Sequence, residues 1–101
     1  MESDRPLIRE AYPVFAAELT ALLDAVGERA LAVGVRDLRW FAGCDCGDDF
    51  CQGFHTAEPP AGAFGEGHRC VPLSAERGML CLDVVFDRIM FVEVIDRPPL
   101  R

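Results

Sequence analysis

A helical pattern is the first regular feature of the chain, and it begins at Pro13. Proline suits the first turn of a helix, where its missing N–H has no intrahelical partner. Apolar residues then recur at spacings of three and four, which places them on one helical stripe: Phe15, Leu19, Leu22, Val26, Ala30 and Val33. The pattern predicts one long helix over residues 13–33 after a polar lead-in. Gly27 is an alternative end, because glycine costs about 1 kcal/mol within a helix.

From residue 38 the hydrophobic period changes to two, the period of a half-buried strand. One face of this strand carries Leu38, Trp40, Ala42, Cys44 and Cys46. Gly47, Asp48 and Asp49 supply turn chemistry, so residues 50–56 are predicted to return as a second strand. Residues 57–67, with two prolines and three glycines, form a predicted loop.

The C-terminal third predicts further strands. Residues 68–73 form a short one, which Pro72 restricts to a sheet edge. Residues 79–86 and 89–95 flank a predicted two-residue turn at Asp87-Arg88, with Phe86-Asp87 as the alternative. The expected fold class is α+β in a single domain, residues 1–101. A long N-terminal helix would pack on an antiparallel sheet of about four to five strands, within residues 36–96, that ends in a β-hairpin.

Both faces of this hairpin are apolar, so it is predicted either to lie enclosed at the centre of the sheet or to form the interface of a homodimer. Asp83 and Glu93 are the carboxylates in its strands. Across a two-residue turn, facing residues have opposite parity. These two odd-numbered residues are therefore predicted to lie on opposite faces and not to act as an acid–base pair.

Composition narrows the functional classes. The chain has 101 residues, of which 50% are hydrophobic and 27% charged, as expected for one globular domain. A net charge of −7 argues against nucleic-acid binding and favours a basic protein partner. The N-terminus lacks the apolar run of a signal peptide and no segment resembles a membrane span, which predicts a cytoplasmic protein. Thiols stay reduced there, so the five cysteines are not expected to form a disulfide scaffold.

The main candidate for chemistry is the segment Cys44-x-Cys46-x4-Cys51, with His55, His68 and Cys70 as possible further ligands. Thiolates and an imidazole are zinc ligands and would hold the ion tetrahedrally. The spacing is not the paired Cys-x2-Cys of common structural zinc sites. Strand register therefore decides whether the three cysteines of this segment and His55 meet.

The sequence allows two pairing registers between the first two predicted strands. A four-residue loop at residues 47–50 places all four candidate ligands on one face of the hairpin. A three-residue loop at residues 47–49 brings Phe50 and Phe54 to Trp40 on the core face. Cys51 and His55 then point the other way. The second register buries more aromatic surface, so it is favoured, with ordinary half-buried thiols as its consequence.

Other catalytic patterns are weak. Cys51 with His55, and Cys70 with His68, supply two of the three groups that a nucleophilic site needs, and neither pair lies in a known local signature. The glycines of residues 62–67 lack the Gly-Lys-Ser/Thr ending of a phosphate-binding loop. The sequence therefore favours a protein that is not an enzyme.

A resemblance to small uncharacterised proteins of actinobacteria is carried by two runs of residues. They are Cys-Asp-Cys-Gly-Asp-Asp-Phe-Cys-Gln-Gly-Phe-His-Thr (44–56) and Leu-Asp-Val-Val-Phe-Asp-Arg-Ile-Met-Phe-Val-Glu-Val-Ile-Asp-Arg-Pro (82–98). In that group the hairpin turn resembles Asp-Gly, where this chain has Phe86-Asp87. The group has no known activity, cofactor or partner, so the resemblance implies none.

Two functional hypotheses follow. The first is a small acidic binding or regulatory protein, such as a toxin-neutralising immunity protein, that meets a basic partner through Asp45, Asp48 and Asp49 at the first hairpin tip. It needs no cofactor. The alternative is a zinc-binding protein whose ligands come from Cys44, Cys46, Cys51 and His55.

Overall fold

A computed structural model describes residues 5–44, 46–47, 51–75 and 77–101. Within them it contains three helices, α1 (Ile8–Ala11), α2 (Pro13–Ala25) and α3 (Arg29–Gly34), the last continued by a 3₁₀ turn at Val35–Asp37. The strands are β1 (Ala42–Gly43), β2 (Phe54–His55), β3 (His68–Leu73), β4 (Met79–Val85) and β5 (Arg88–Ile95). They form one antiparallel sheet in the order β1-β2-β5-β4-β3. The predicted α+β class with an antiparallel sheet is confirmed.

The single long helix predicted over residues 13–33 is wrong: α2 ends at Ala25, and Gly27, the predicted alternative end, terminates it. The backbone N–H of Glu28 donates to the carbonyl of Leu23 (2.9 Å), and that of Gly27 donates to the carbonyl of Asp24 (3.1 Å). This is the Schellman pattern, which needs a left-handed residue after the last turn. Gly27 has a φ of +81°, which glycine adopts without steric cost.

The break also changes which helical residues are buried. Val26 and Val33, both predicted on the buried stripe, are 52% and 66% exposed. α3 restarts with a new helical phase and buries Leu31 and Ala32 instead. The predicted apolar stripe is therefore buried only in the first half of the predicted helix.

The segment before Pro13 belongs to the core, although its composition indicated a polar lead-in. Ile8 on α1 has no exposed surface. Its backbone N–H donates to the carbonyl of Leu38 (2.9 Å), and Leu7 forms an isolated antiparallel bridge with Arg39. These contacts fix the start of the chain against the segment that leads into β1.

The C-terminal hairpin lies inside the sheet. β5 is the central strand, with β2 on one side and β4 on the other, while β3 is at the edge that Pro72 indicated. Val85 pairs with Arg88, so Phe86 and Asp87 are the central turn residues, with φ of 47° and 64°. Two positive φ values are typical of a type I′ turn. The predicted Asp87-Arg88 turn is therefore wrong, and its alternative is correct.

A β-bulge in β5 overturns the prediction that Asp83 and Glu93 lie on opposite faces. Val84 pairs with Ile89 but Asp83 pairs with Phe91, so Met90 is an extra residue. The carbonyl of Met90 instead accepts the N–H of Thr56 (3.0 Å). One inserted residue reverses the parity of everything beyond it. Glu93 consequently faces Cys81, on the same side of the sheet as Asp83.

One face of the sheet is buried beneath the helices. Its buried apolar side chains are Phe54, Val71, Leu73, Leu80, Leu82, Val84, Ile89, Val92 and Val94, and they form one cluster with those of the helices. The residues that alternate with them are half-buried or exposed and make up the second face, here called the open face. No helix in the described part of the chain is long and apolar enough to cross a membrane.

Replacing Phe54 by alanine tests this core. Phe54 has no exposed surface and packs edge-on against Phe15, with ring centroids 6.3 Å apart. We expect F54A to lower the free energy of unfolding by about 3–5 kcal/mol, measured by urea denaturation. The control V33A removes a side chain that is 66% exposed and should change stability by less than about 0.5 kcal/mol. Equal effects of the two substitutions would contradict this core.

The hairpin turn offers a stabilising substitution. Phe86 is 71% exposed and holds a positive φ, which a bulky side chain adopts with strain. Replacing Phe86-Asp87 by Asn-Gly should raise the free energy of unfolding by about 1 kcal/mol. The control D87N removes the exposed ion pair of Asp87 with Arg69 and should have less than about 1 kcal/mol of effect. Destabilisation by Asn-Gly would show that the turn lies elsewhere.

Candidate metal centre

No disulfide joins the five cysteines, all of which lie in the described part of the chain, and the strand register brings them to the open face of the sheet. Side chains alternate between the two faces of a strand, so residues two apart share a face. Buried Phe54, Val71 and Leu82 mark the core face, and the cysteines lie at positions of the other parity. Both histidines share this face: His55 pairs with Ala42, and His68 pairs with Val85.

The first cluster consists of Cys44, Cys46 and Cys51, whose sulfur atoms all lie within 4.8 Å of one another. Ala42 pairs with His55 and Gly43 with Phe54, which places Cys46 opposite Cys51. The backbone N–H of Cys44 donates to the carbonyl of Gly53 (2.8 Å) in the same register. This is the register of the four-residue loop.

The favoured register with a three-residue loop is therefore wrong, and the reason lies before β1. That prediction assumed an unbroken strand from Leu38 to Cys46. Arg39 instead bridges to Leu7, and β1 begins only at Ala42. Trp40 can therefore pack against the core while Ala42 and the cysteines beyond it face the other way. Phe50, which the favoured register placed in the core, lies outside the described residues.

The sulfur atoms of the first cluster are close to zinc geometry. Tetrahedral zinc with bonds of about 2.3 Å to each thiolate requires sulfur atoms roughly 3.8 Å apart. Sulfur atoms within 4.8 Å reach that separation when the side chains move by about 1 Å. The backbone on the Cys51 side is well anchored, because Cys51 bridges to Ile95 and the N–H of Gln52 donates to the carbonyl of Val94 (2.8 Å).

The surroundings of Cys44 keep its thiol protonated. Burial, and hydrogen bonding with the thiols of Cys46 and Cys51, raise the pKa of Cys44 to about 11. Without a cation Cys44 therefore keeps its proton at neutral pH, since its thiolate would be poorly solvated and close to a neighbouring sulfur. A divalent ion among the three sulfur atoms reverses that balance and displaces the protons.

His55, the fourth predicted zinc ligand, does not join this cluster. It lies on the same face but four residues beyond Cys51, a distance of roughly 13 Å along a strand. Its ring packs against Phe91, with centroids 4.7 Å apart, and its Nδ1 atom is buried without a hydrogen-bond partner among the described residues. The predicted partner-binding residues Asp45, Asp48 and Asp49 lie outside the described residues.

A second cluster lies at the other edge of the same face, and it contains His68 and Cys70, which the sequence offered as metal ligands only for the first cluster. It comprises His68, Cys70 and Asp83, again with ligand atoms within 4.8 Å of one another. The signal for it was available: His68 with Cys70, and Cys81 with Asp83, have the same i, i+2 spacing as Cys44 with Cys46. On a strand that spacing puts both side chains on one face.

This cluster is not arranged for nucleophilic catalysis. In a Cys–His–acid site the imidazole lies between the thiol and the carboxylate. Here one carboxylate oxygen, Asp83 Oδ1, lies 2.8 Å from His68 Nε2 and 3.3 Å from Cys70 Sγ. The carboxylate raises the pKa of the Cys70 thiol, which opposes activation of a nucleophile.

The main cavity found in the described part of the chain is separate from both clusters. It has a volume of about 560 Å³ and lies between the end of α3 and the start of β5. Its lining includes Arg39, Phe41 and Arg88 but neither histidine and no cysteine. The candidate nucleophiles therefore do not face it.

Comparison with known proteins identifies no family. No protein-family model matches the chain, and neither the curated proteins nor the solved structures give a significant match. The resemblance to actinobacterial proteins stays a prediction. The interpretation of the site depends on its own geometry.

The raised pKa of Cys44 predicts a loss of stability at alkaline pH in the metal-free protein. The folded state favours the protonated thiol, so this stability is complete below pH 9.0 and is lost as the pH rises towards about 11. Denaturant unfolding with a chelator present should show a steeper loss across this interval for the natural protein than for C44S, whose hydroxyl does not ionise. Identical pH profiles would contradict the shift.

Proposed function

We propose that the protein binds a zinc ion through Cys44, Cys46 and Cys51. The observation that carries this proposal is the convergence of the three sulfur atoms within 4.8 Å on the open face of the sheet. Thiolate sulfur is a preferred zinc ligand, and β1 and β2 position the three side chains without help from the metal. The chain needs no metal to fold, because its core is apolar and continuous.

Three protein ligands leave the fourth tetrahedral position of zinc to water or to an incoming group. Sites of this kind are exchangeable or catalytic, whereas structural zinc sites are usually closed by four protein ligands. Cys46 is exposed, so the ion would be accessible from solvent. We infer a protein that holds zinc reversibly. The proposal requires reduced thiols, in accord with the cytoplasmic location expected from the sequence.

The second candidate is the acidic binding protein, of which an immunity protein is one form. The net charge of −7 supports it. A basic partner would bind faster and more tightly at low salt, because electrostatic steering is screened by ions. A partner whose affinity does not change with salt would count against this function. Homodimer formation through the hairpin stays a prediction that sedimentation would test.

Serine substitutions test the ligand set. We expect C44S, C46S and C51S each to lower the zinc affinity of one binding event per chain by at least about 100-fold. Loss of a group that only hydrogen-bonds to a metal ligand already lowers metal affinity by roughly 10–100-fold. Isothermal titration of reduced, metal-free protein measures this loss. The control H55Q changes the predicted ligand that lies away from the cluster and should keep the natural affinity. Loss of affinity in H55Q but not in C46S would overturn the proposal.

Zinc binding should strengthen as the pH rises from 6 to 8. Each thiol must lose its proton before it binds the metal, so affinity should increase by close to tenfold per pH unit for each proton displaced. Calorimetry in buffers of different ionisation enthalpy counts these protons. If the metal binds without releasing protons, the thiols are not its ligands.

A further inference from the structure

The second cluster on the open face is built from two paired strands. His68 and Cys70 lie two residues apart on β3, and Asp83 on β4 is the direct partner of Cys70. The three side chains therefore leave the same face of adjacent strands at neighbouring positions. Backbone pairing along β3 and β4 sets their separation, so little ordering is needed to bring them together.

Their ligand atoms are spaced nearly as a zinc ion requires. His68 Nε2 and Asp83 Oδ1 are 2.8 Å apart, and Cys70 Sγ and Asp83 Oδ1 are 3.3 Å apart. Around tetrahedral zinc the corresponding separations are roughly 3.4 Å and 3.6 Å, from its usual bond lengths to nitrogen, oxygen and sulfur. Each pair would open by well under 1 Å to admit the ion. His68 and Cys70 each make a hydrogen bond to the same oxygen, Asp83 Oδ1. A metal ion bound among the three ligand atoms would take the place of the two protons in these hydrogen bonds.

The surroundings favour a cation and orient the ligands. Phe64 packs against the imidazole of His68, with ring centroids 4.8 Å apart, and so restricts its rotation. Cys81 lies diagonally across the strands and interacts with the thiol of Cys70. Glu93, which the bulge at Met90 turns to this face, pairs with Cys81 and adds a second carboxylate. The sulfur of Cys81 is not among the ligand atoms that converge within 4.8 Å.

An ordinary ion pair accounts for only part of this arrangement. A histidine on an edge strand and an aspartate on the neighbouring strand often pair, and such a contact contributes little to stability. An ion pair between His68 and Asp83 does not explain why the thiol of Cys70 contacts the same carboxylate oxygen. Three donors of different chemistry that converge within 4.8 Å are the ligand set that a mixed-donor metal site would use.

We propose that His68, Cys70 and Asp83 form a second site for a divalent metal ion. Nitrogen, sulfur and oxygen donors together suit Zn²⁺, whereas the three sulfur atoms of the first cluster also suit Cu⁺. The two sites share the open face but no ligand. The inference therefore does not rest on the function proposed for the first cluster.

The decisive experiment observes the two histidines by NMR during zinc titration of the natural, reduced protein. The chain has only His55 and His68, so each imidazole gives a separate signal. Zinc should shift the ring resonances of His68 and leave those of His55, which lies away from both clusters, nearly unchanged. Saturating zinc that leaves His68 unshifted would overturn the second site, and this test needs no substitution.

Variants then separate the two sites. C44S/C46S/C51S removes the first cluster and should still bind one zinc ion per chain, with Co²⁺ giving a thiolate charge-transfer band. In the otherwise natural protein, D83N should lower the zinc affinity of one of the two binding events by at least about 30-fold. Loss of a hydrogen-bonding partner of a ligand already lowers metal affinity by roughly 10–100-fold, and loss of the ligand itself should cost more than the low end of that range. The matched control E93Q removes a nearby carboxylate that is not a ligand, and we expect a smaller effect.

The outcomes distinguish the two proposals. If zinc binds once, and D83N abolishes binding while C46S does not, the second site stands and the function proposed for the first cluster fails. If C46S abolishes the only binding event and D83N has no effect, the second site is overturned and the first stands. Equal losses in D83N and E93Q would show that only the negative charge matters, which would also overturn the second site.

Discussion

Burial of one face of the sheet beneath the helices is the constraint on which the rest of this structure depends. Phe54, Leu82 and Val92 have no exposed surface, and they fix the direction of every side chain that alternates with them. Reversing any strand would expose its apolar residues and bury its polar ones. The cysteines reach the open face as a consequence, since they occupy the alternate positions.

The bulge at Met90 modifies that constraint at one point. Without it, β5 would pair with β4 in a regular ladder, and Glu93 would lie on the opposite face from Asp83. The extra residue lets Ile89 fill the core near the turn while Val92 and Val94 fill it further along the strand. Phe91 and Glu93 are thereby turned to the open face. The bulge thus allows the apolar residues on both sides of it to be buried in the core, and it sets which side chains of β5 lie on the open face beside the two clusters.

The two clusters also share an electrostatic character. Burial and neighbouring thiols raise the pKa of Cys44, and the carboxylate of Asp83 raises that of Cys70. Groups of this kind are poor nucleophiles when no cation is near, because the thiolate is the reactive form. The same proximity of acidic groups favours a bound cation. The metal binding proposed for both clusters rests on this proximity of ligand atoms.

The sequence by itself determined the local features: the start of α2 at Pro13, the edge position of the strand with Pro72, the α+β class and the i, i+2 spacing of cysteines and histidines. These follow from backbone chemistry and from side-chain periodicity within a single element. Only the tertiary structure decided that Cys46 faces Cys51, that Asp83 meets Cys70, and that Glu93 shares their face. Register and bulges depend on packing between distant segments, and short-range patterns do not encode the energy of that packing.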